Sequence, residues 1–176
     1  MNVVIPAWVD GVLIPVEKLE AHRRGLRHKA ISVFLICEGK TLLQRRALGK
    51  YHTPGLWANS CCTHPNWGEH ALDCAQRRLE EELGLPRLPL EFRDQVEYRA
   101  NVSNGLIEHE VVDIFVGTLP RDVQFNPDPV EVMDTIWEPL GTLTETVMTR
   151  PGSFTPWLQV YLRDYSGVIF GDLHPA

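Results

Sequence analysis

Residues Ala30-Ile31-Ser32-Val33-Phe34-Leu35-Ile36-Cys37 form an apolar, β-branched-rich run that reads as a buried strand. Glu38-Gly39-Lys40 turns the chain into a second strand over 41–45, as in a hairpin. Further strands are expected over 95–100, 107–118 and 134–139, with Ser103-Asn104-Gly105 as the turn between the first two. Helices are expected over 69–83, closed by Gly84 and Pro86, over 140–148, and over 155–165 with Pro156 in the first turn. The elements do not follow a βαβ rhythm. They favour a compact mixed-sheet α/β or α+β domain over a doubly wound parallel one.

At 176 residues the chain suits one domain spanning 1–176. A net charge of −6 argues against a nucleic-acid or anionic-membrane binder, so a small anionic ligand would need a local cluster of Arg and Lys. No apolar run is long enough to span a bilayer, and residues 1–20 lack the pattern of a signal peptide. The cysteines at 37, 61, 62 and 74 make a poor disulfide framework, so the expected setting is the cytoplasm.

Chemistry concentrates in Asn59-Ser60-Cys61-Cys62-Thr63-His64-Pro65 and the Arg/Glu-rich helix behind it. A thiol can move protons, an imidazole can hold a metal, and a glutamate cluster can hold Mg²⁺ against a phosphate. On that helix Leu72, Ala75, Leu79 and Leu83 share a core-facing stripe. Arg78 and Glu82, four apart, lean toward the stripe, where a charge needs a partner. Glu80 faces solvent. Taken alone, Cys62 is more often a packing residue than a catalyst, and each His or Glu more often a surface group.

This helix resembles the Nudix box, G-x5-E-x7-R-E-U-x-E-E-x-G-U, through Glu69, Arg77, Leu79, Glu81, Glu82, Gly84 and Leu85. Thr63 stands where the first Gly belongs, and Arg78 replaces the Glu that hydrolases of the family use for their catalytic metal. The flanking segments resemble one branch, the type I isopentenyl-diphosphate isomerases. They are Ala21-His22, residues 26–34, Gln44-Arg45-Arg46-Ala47-Leu48-Gly49-Lys50, Thr53-Pro54-Gly55-Leu56-Trp57, residues 59–65, Glu97-Tyr98-Arg99-Ala100, Ile107-Glu108-His109-Glu110-Val111 and Ser153-Phe154-Thr155-Pro156-Trp157.

The resemblance implies a Nudix-type mixed sheet packed between helices, with the box at about 63–85 and residues 1–28 adding metal and substrate ligands. It implies that Cys62 and Glu110 transfer protons, with Tyr98 hydrogen-bonded beside Glu110. His22, His28, His64, Glu108 and Glu110 would hold one Mn²⁺ or Zn²⁺, ligands that suit those ions better than Ca²⁺. Lys18, Arg46, Lys50 and Arg78 would bind the diphosphate, with Glu82 holding its Mg²⁺, and Trp157 would face the carbocation. A period of two puts Glu108 and Glu110 on one strand face and His109 on the other. His52, His70 and His174 receive no role. The expected partner is a small allylic or homoallylic diphosphate, with the chain a monomer or weak homodimer and no stable membrane association. The competing reading is a Nudix pyrophosphohydrolase of a nucleoside diphosphate.

Overall fold

The computed structural model describes residues 3–171 and 173. It begins with a hairpin absent from the sequence expectations. Strands β1 (Val4–Val9) and β2 (Val12–Glu17) pair antiparallel through Asp10 and Gly11, at φ 51° and 80°. Two successive positive φ values match the right-handed twist of the strands they join. Pro6 and Pro15, which argue against strands in the sequence, sit opposite each other. Helix α1 (Lys18–Arg24) follows, its first amides at Leu19 and Glu20 donating to the Glu17 carboxylate.

The apolar run lies in β3 (Arg27–Cys37), joined to β4 (Lys40–Arg46) through Glu38 and Gly39, both at positive φ. Two short strands follow, β5 (Trp57–Ala58) and β6 (Cys61–Thr63), and then helix α2 (Ala71–Leu83). Strands β7 (Glu91–Asn101), β8 (Ile107–Thr118) and β9 (Val132–Pro139) complete the sheet, and helices α3 (Leu140–Thr149), α4 (Pro156–Asp164) and α5 (Ser166–Phe170) end the described chain. β3 runs parallel to β8, from Arg27 opposite His109 to Ile36 opposite Thr118, while its pairings with β1, β4 and β6 are antiparallel. The sheet is mixed, as expected.

Alternation along β3 explains why the run is apolar throughout. Ile31, Val33 and Leu35 pack in the same cluster as Leu79 and Leu83 of α2. Ala30, Phe34 and Ile36 pack in the cluster of Leu158, Tyr161 and Phe170 from α4 and α5. Each large apolar side chain so buried contributes about 1.5–3 kcal/mol. Ser32 is the exception among them, a buried hydroxyl on the α4 side.

Helix α2 starts at Ala71 rather than at 69, and Glu69 instead lies in the preceding turn and pairs with Arg77 at 2.7 Å. Leu72, expected in the core stripe, is 45% exposed, and Cys74 is fully buried on that side. The periodicity gave the right phase, but the first turn has no core beneath Leu72. At the other end Gly84 caps the helix at φ 66°, and a β-carbon there would lie 2.8 Å from the Asn126 carbonyl oxygen. That close approach lets Asn126 and Asp128 donate backbone bonds to Leu83 and Glu82 at the helix end.

Candidate active site

Strand register builds one wall of the site. Glu110 of β8 lies between Tyr98 of β7 and His28 of β3, opposite each in its ladder. The Tyr98 hydroxyl is 2.8 Å from Glu110 Oε2 and 2.9 Å from Glu108 Oε2. All three are buried. Burial, then the Glu110 charge, pushes Glu108 well above the ordinary carboxylate range. Burial also works to raise Glu110, but its contacts with His28 and His64 outweigh that and hold it well below. His109 points away, as alternation requires, and pairs with Glu97 at 3.1 Å.

His22 from α1, His28 from β3 and His64 after β6 converge on this wall. Ligand atoms of His22, His28, His64 and Glu110 all lie within 4.8 Å of one another. His22 Nδ1 and His28 Nδ1 are 2.7 and 2.6 Å from the Lys18 and Leu26 carbonyl oxygens. Those bonds fix the proton on Nδ1 and turn the bare Nε2 atoms into the cluster, where both are buried without a partner. Burial, then the His28 charge, pushes His22 down to about 4, and burial holds His64 well below the ordinary histidine range. Buried Nε2 atoms without a partner, beside a carboxylate, are donors that a divalent metal takes, so the cluster fits such an ion.

Cys62 approaches from β6, whose register sets it opposite Ser32 of β3. Its sulfur lies 3.2 Å from Ser32 Oγ, which in turn lies 3.0 Å from the Tyr161 hydroxyl. Asn59 fixes Ser32 from the side, its amide donating to Ser32 Oγ, Val33 O and Cys61 O. Burial, then the Glu110 charge, raises Cys62 well above its ordinary value, so the group is a thiol with a proton to give. Its neighbour Cys61 points to the opposite side of the sheet, into the α2 core.

Cys62, His64, Glu108 and Glu110 line one cleft together with Lys18, Arg46, Lys50, Arg78, Glu82 and Trp157. The structure therefore brings every residue named from the sequence to one place, with Tyr98, His22 and His28 directly behind the lining. Lys18 is pushed down to about 8, first by burial and then by Lys50, Arg78 and Arg46. Such mutual repulsion among cations is relieved by a polyanion. Arg78 bonds Glu82 at 2.6 Å and Glu81 at 2.7 Å, and Glu82 Oε2 also accepts from Gln44. Trp157 is 1% exposed, with the Arg46 guanidinium 5.2 Å from its ring centre.

Three residues of the site were missed. His52, given no role from the sequence, is buried in the cleft wall, its Nε2 3.7 Å from Glu108 Oε1. A loop histidine outside any periodic element leaves no signal to place it. Tyr51 lines the cleft beside it. Glu131 grips Lys50 Nζ and lies 3.3 Å from Arg78, holding both from outside the cleft lining. His70 sits exposed at the start of α2, and His174 lies outside the described residues.

The fold and the box helix define a Nudix-type domain. The NUDIX domain family matches residues 26–158. Among solved structures, DR0079 from Deinococcus radiodurans superposes at TM-score 0.71 with 12% identity, covering 91% of this chain and 96% of that one. A MutT NUDIX hydrolase from Burkholderia pseudomallei superposes at 0.59 with 20% identity, covering 79% and 98%. At such identities the likeness speaks for the fold alone. Sequence relatives are far nearer. The isopentenyl-diphosphate Delta-isomerase of Jannaschia sp. (strain CCS1) is 63% identical, covering 97% of each chain. That of Ruegeria pomeroyi is 54% identical, covering 97% of this chain and 95% of its own. The chain belongs to the NUDIX family and, within it, to the isopentenyl-diphosphate Delta-isomerases.

Proposed function

We propose that this protein interconverts isopentenyl and dimethylallyl diphosphate by proton transfer between Cys62 and Glu110. The observation that carries the reading is a thiol and a buried carboxylate lining one cleft with four cations. The cations supply the diphosphate site. The remaining wall, thiol, carboxylate and Trp157, faces a short hydrocarbon.

The reaction adds a proton to the terminal carbon of the alkene, forms a tertiary cation, and removes a proton from the carbon on its far side. Cys62 and Glu110 are the two transfer groups, one protonated and one ionised at the start of each turnover. Ser32 holds the sulfur in place. Tyr98 holds the Glu110 carboxylate, whose second oxygen lies 2.9 Å from His64 Nε2. Trp157 offers a desolvated aromatic face to the cation, about 2 kcal/mol of stabilisation. Burial of the surrounding groups excludes the water that would quench that cation.

His22, His28, His64, Glu108 and Glu110 would hold a Mn²⁺ or Zn²⁺, whose fixed positive charge would orient Glu110 and tune its acidity. Lys18, Arg46, Lys50 and Arg78 bind the diphosphate, and Glu82 is the carboxylate available to the Mg²⁺ that accompanies it. Where a hydrolase keeps a metal-binding Glu, Arg78 holds a diphosphate that must stay intact. A soluble, cytoplasmic monomer or weak homodimer fits this chemistry. The described helices include none long and apolar enough to cross a membrane.

Incubation with isopentenyl diphosphate and Mg²⁺ in D₂O tests the function. Deuterium should enter the allylic product with no phosphate or pyrophosphate released. Phosphate release without isomerised product would establish the hydrolase instead.

A further inference from the structure

We propose that Tyr51 is a substrate-binding residue whose hydroxyl donates a hydrogen bond to the phosphate that carries the prenyl chain. The proposal rests on the reading that the cleft takes isopentenyl diphosphate. It gives the diphosphate site a neutral donor beside its cations.

Tyr51 lines the cleft, and its hydroxyl oxygen is buried with no hydrogen-bond partner in the protein. A buried hydroxyl left unpaired is costly, so its partner comes from what fills the cleft. Burial, then the Glu108 charge, pushes the phenol well above the ordinary tyrosine range, so it keeps its proton and can donate. The other groups that act on it, Arg46, Glu110 and Cys62, line the same cleft, which places the hydroxyl on its inner side. A five-carbon alkene offers no acceptor. The acceptor is therefore a phosphate oxygen.

Its neighbours also say which phosphate. Arg46 belongs to the diphosphate site, whereas Glu110 and Cys62 flank the alkene. A hydroxyl acted on by both sets stands where the two halves of the substrate meet. The group at that junction is the phosphate bearing the prenyl ester. A bond there fixes the direction in which the hydrocarbon leaves the diphosphate, and so its alignment between Cys62 and Glu110.

The ring has little freedom to turn elsewhere. Lys18 Nζ lies 5.3 Å from its centre, and the rings of His52 and His22 meet it edge-on at 4.3 and 5.9 Å. Behind it the Tyr51 carbonyl accepts from Asn104 at 2.9 Å. The next two residues are held as well, the His52 carbonyl accepting from Arg46 at 3.1 Å and the Thr53 amide donating to Ser103 Oγ at 2.7 Å. The donor is thus in place before the substrate arrives, and binding spends little on ordering it.

The test uses the full chain loaded with Mn²⁺ and Mg²⁺. Tyr51→Phe keeps the ring and removes only the oxygen. Calorimetric titration with isopentenyl diphosphate should show binding at least about tenfold weaker, with kcat/KM lowered at least as much, because a hydrogen bond to a charged group is lost. Without substrate the variant should melt at or above the wild-type temperature, since the hydroxyl has no partner in the protein to lose. A packing role predicts the reverse, a lower melting temperature with affinity intact, and that result would overturn the proposal. Unchanged affinity and kcat/KM in Tyr51→Phe would overturn it too. A wild-type chain that binds no isopentenyl diphosphate would instead sink the underlying functional reading, and the proposal with it.

Discussion

Cys62 and Ser32 face one another on paired strands, sulfur 3.2 Å from hydroxyl oxygen, and the Tyr161 hydroxyl stands 3.0 Å behind the serine. Ser32 has one proton for two contacts, so when it donates to sulfur the tyrosine donates to it. Sulfur left anionic by proton transfer is then met by a donor already in place. Ser32→Ala should lower kcat about tenfold or more at unchanged KM, since a hydrogen bond to a charged group is worth about 1.5–3 kcal/mol. Steady-state kinetics decides it, and an unaltered kcat would remove Ser32 from the account.

Glu131 restrains Lys50 and Arg78 without lining the cleft. Glu131→Gln should raise KM several-fold and leave kcat nearly unchanged, because two long side chains regain freedom that substrate binding must then remove. Stability should respond as well. Burial works to raise the carboxyl, but Lys50 and then Arg78 hold it down at about 2, against an ordinary 4.5. A depressed carboxyl stabilises the fold above pH 4.5, and the gain is lost as pH falls toward 2. Acid titration monitored by circular dichroism should show Glu131→Gln losing about 2 kcal/mol less than wild type across that window.

Lys18 yields a pH prediction of the opposite kind. Its ammonium is charged only below about 8 in the free protein. A cation that binds diphosphate is therefore lost as pH rises, and kcat/KM should fall through that value. Lys18→Met should have a lower kcat/KM with that limb absent. A wild-type profile flat to pH 9.5 would contradict the assignment.

Removing the metal should destabilise the fold. Chelation leaves Glu108 and Glu110 buried side by side, and an ion present at a thousand times its Kd contributes about 4 kcal/mol. For a chain of this size the melting temperature should drop by about 8–16 °C. Scanning calorimetry with and without a chelator measures it, and an unchanged melting curve would count against a resident ion.

Much of this was legible because local rules and tertiary structure agreed. The run from Ala30 to Cys37 announced a buried strand, and Ile31, Val33 and Leu35 on one side, Ala30, Phe34 and Ile36 on the other, are its two packed faces. Alternation put Glu108 and Glu110 together and His109 apart. The opening hairpin was missed because Pro6 and Pro15 mask it, although Asp10-Gly11 is a hairpin turn signal in plain view. Leu72 was placed inside because periodicity gives the phase of a helix and not what lies under each turn. His52 and Glu131 depend on the folding back of loops distant in sequence from Glu108 and Arg78, which no local pattern encodes.

The central claim is that Cys62 moves a proton in every turnover. Turnover of isopentenyl diphosphate by Cys62→Ala, with metal content and melting temperature measured on the same preparation, tests it most directly. The account predicts at least about a thousandfold loss in kcat, since an essential proton-transfer group contributes 10²–10⁴-fold, with the metal retained and the fold intact. Full isomerase turnover by that metal-loaded variant would contradict it.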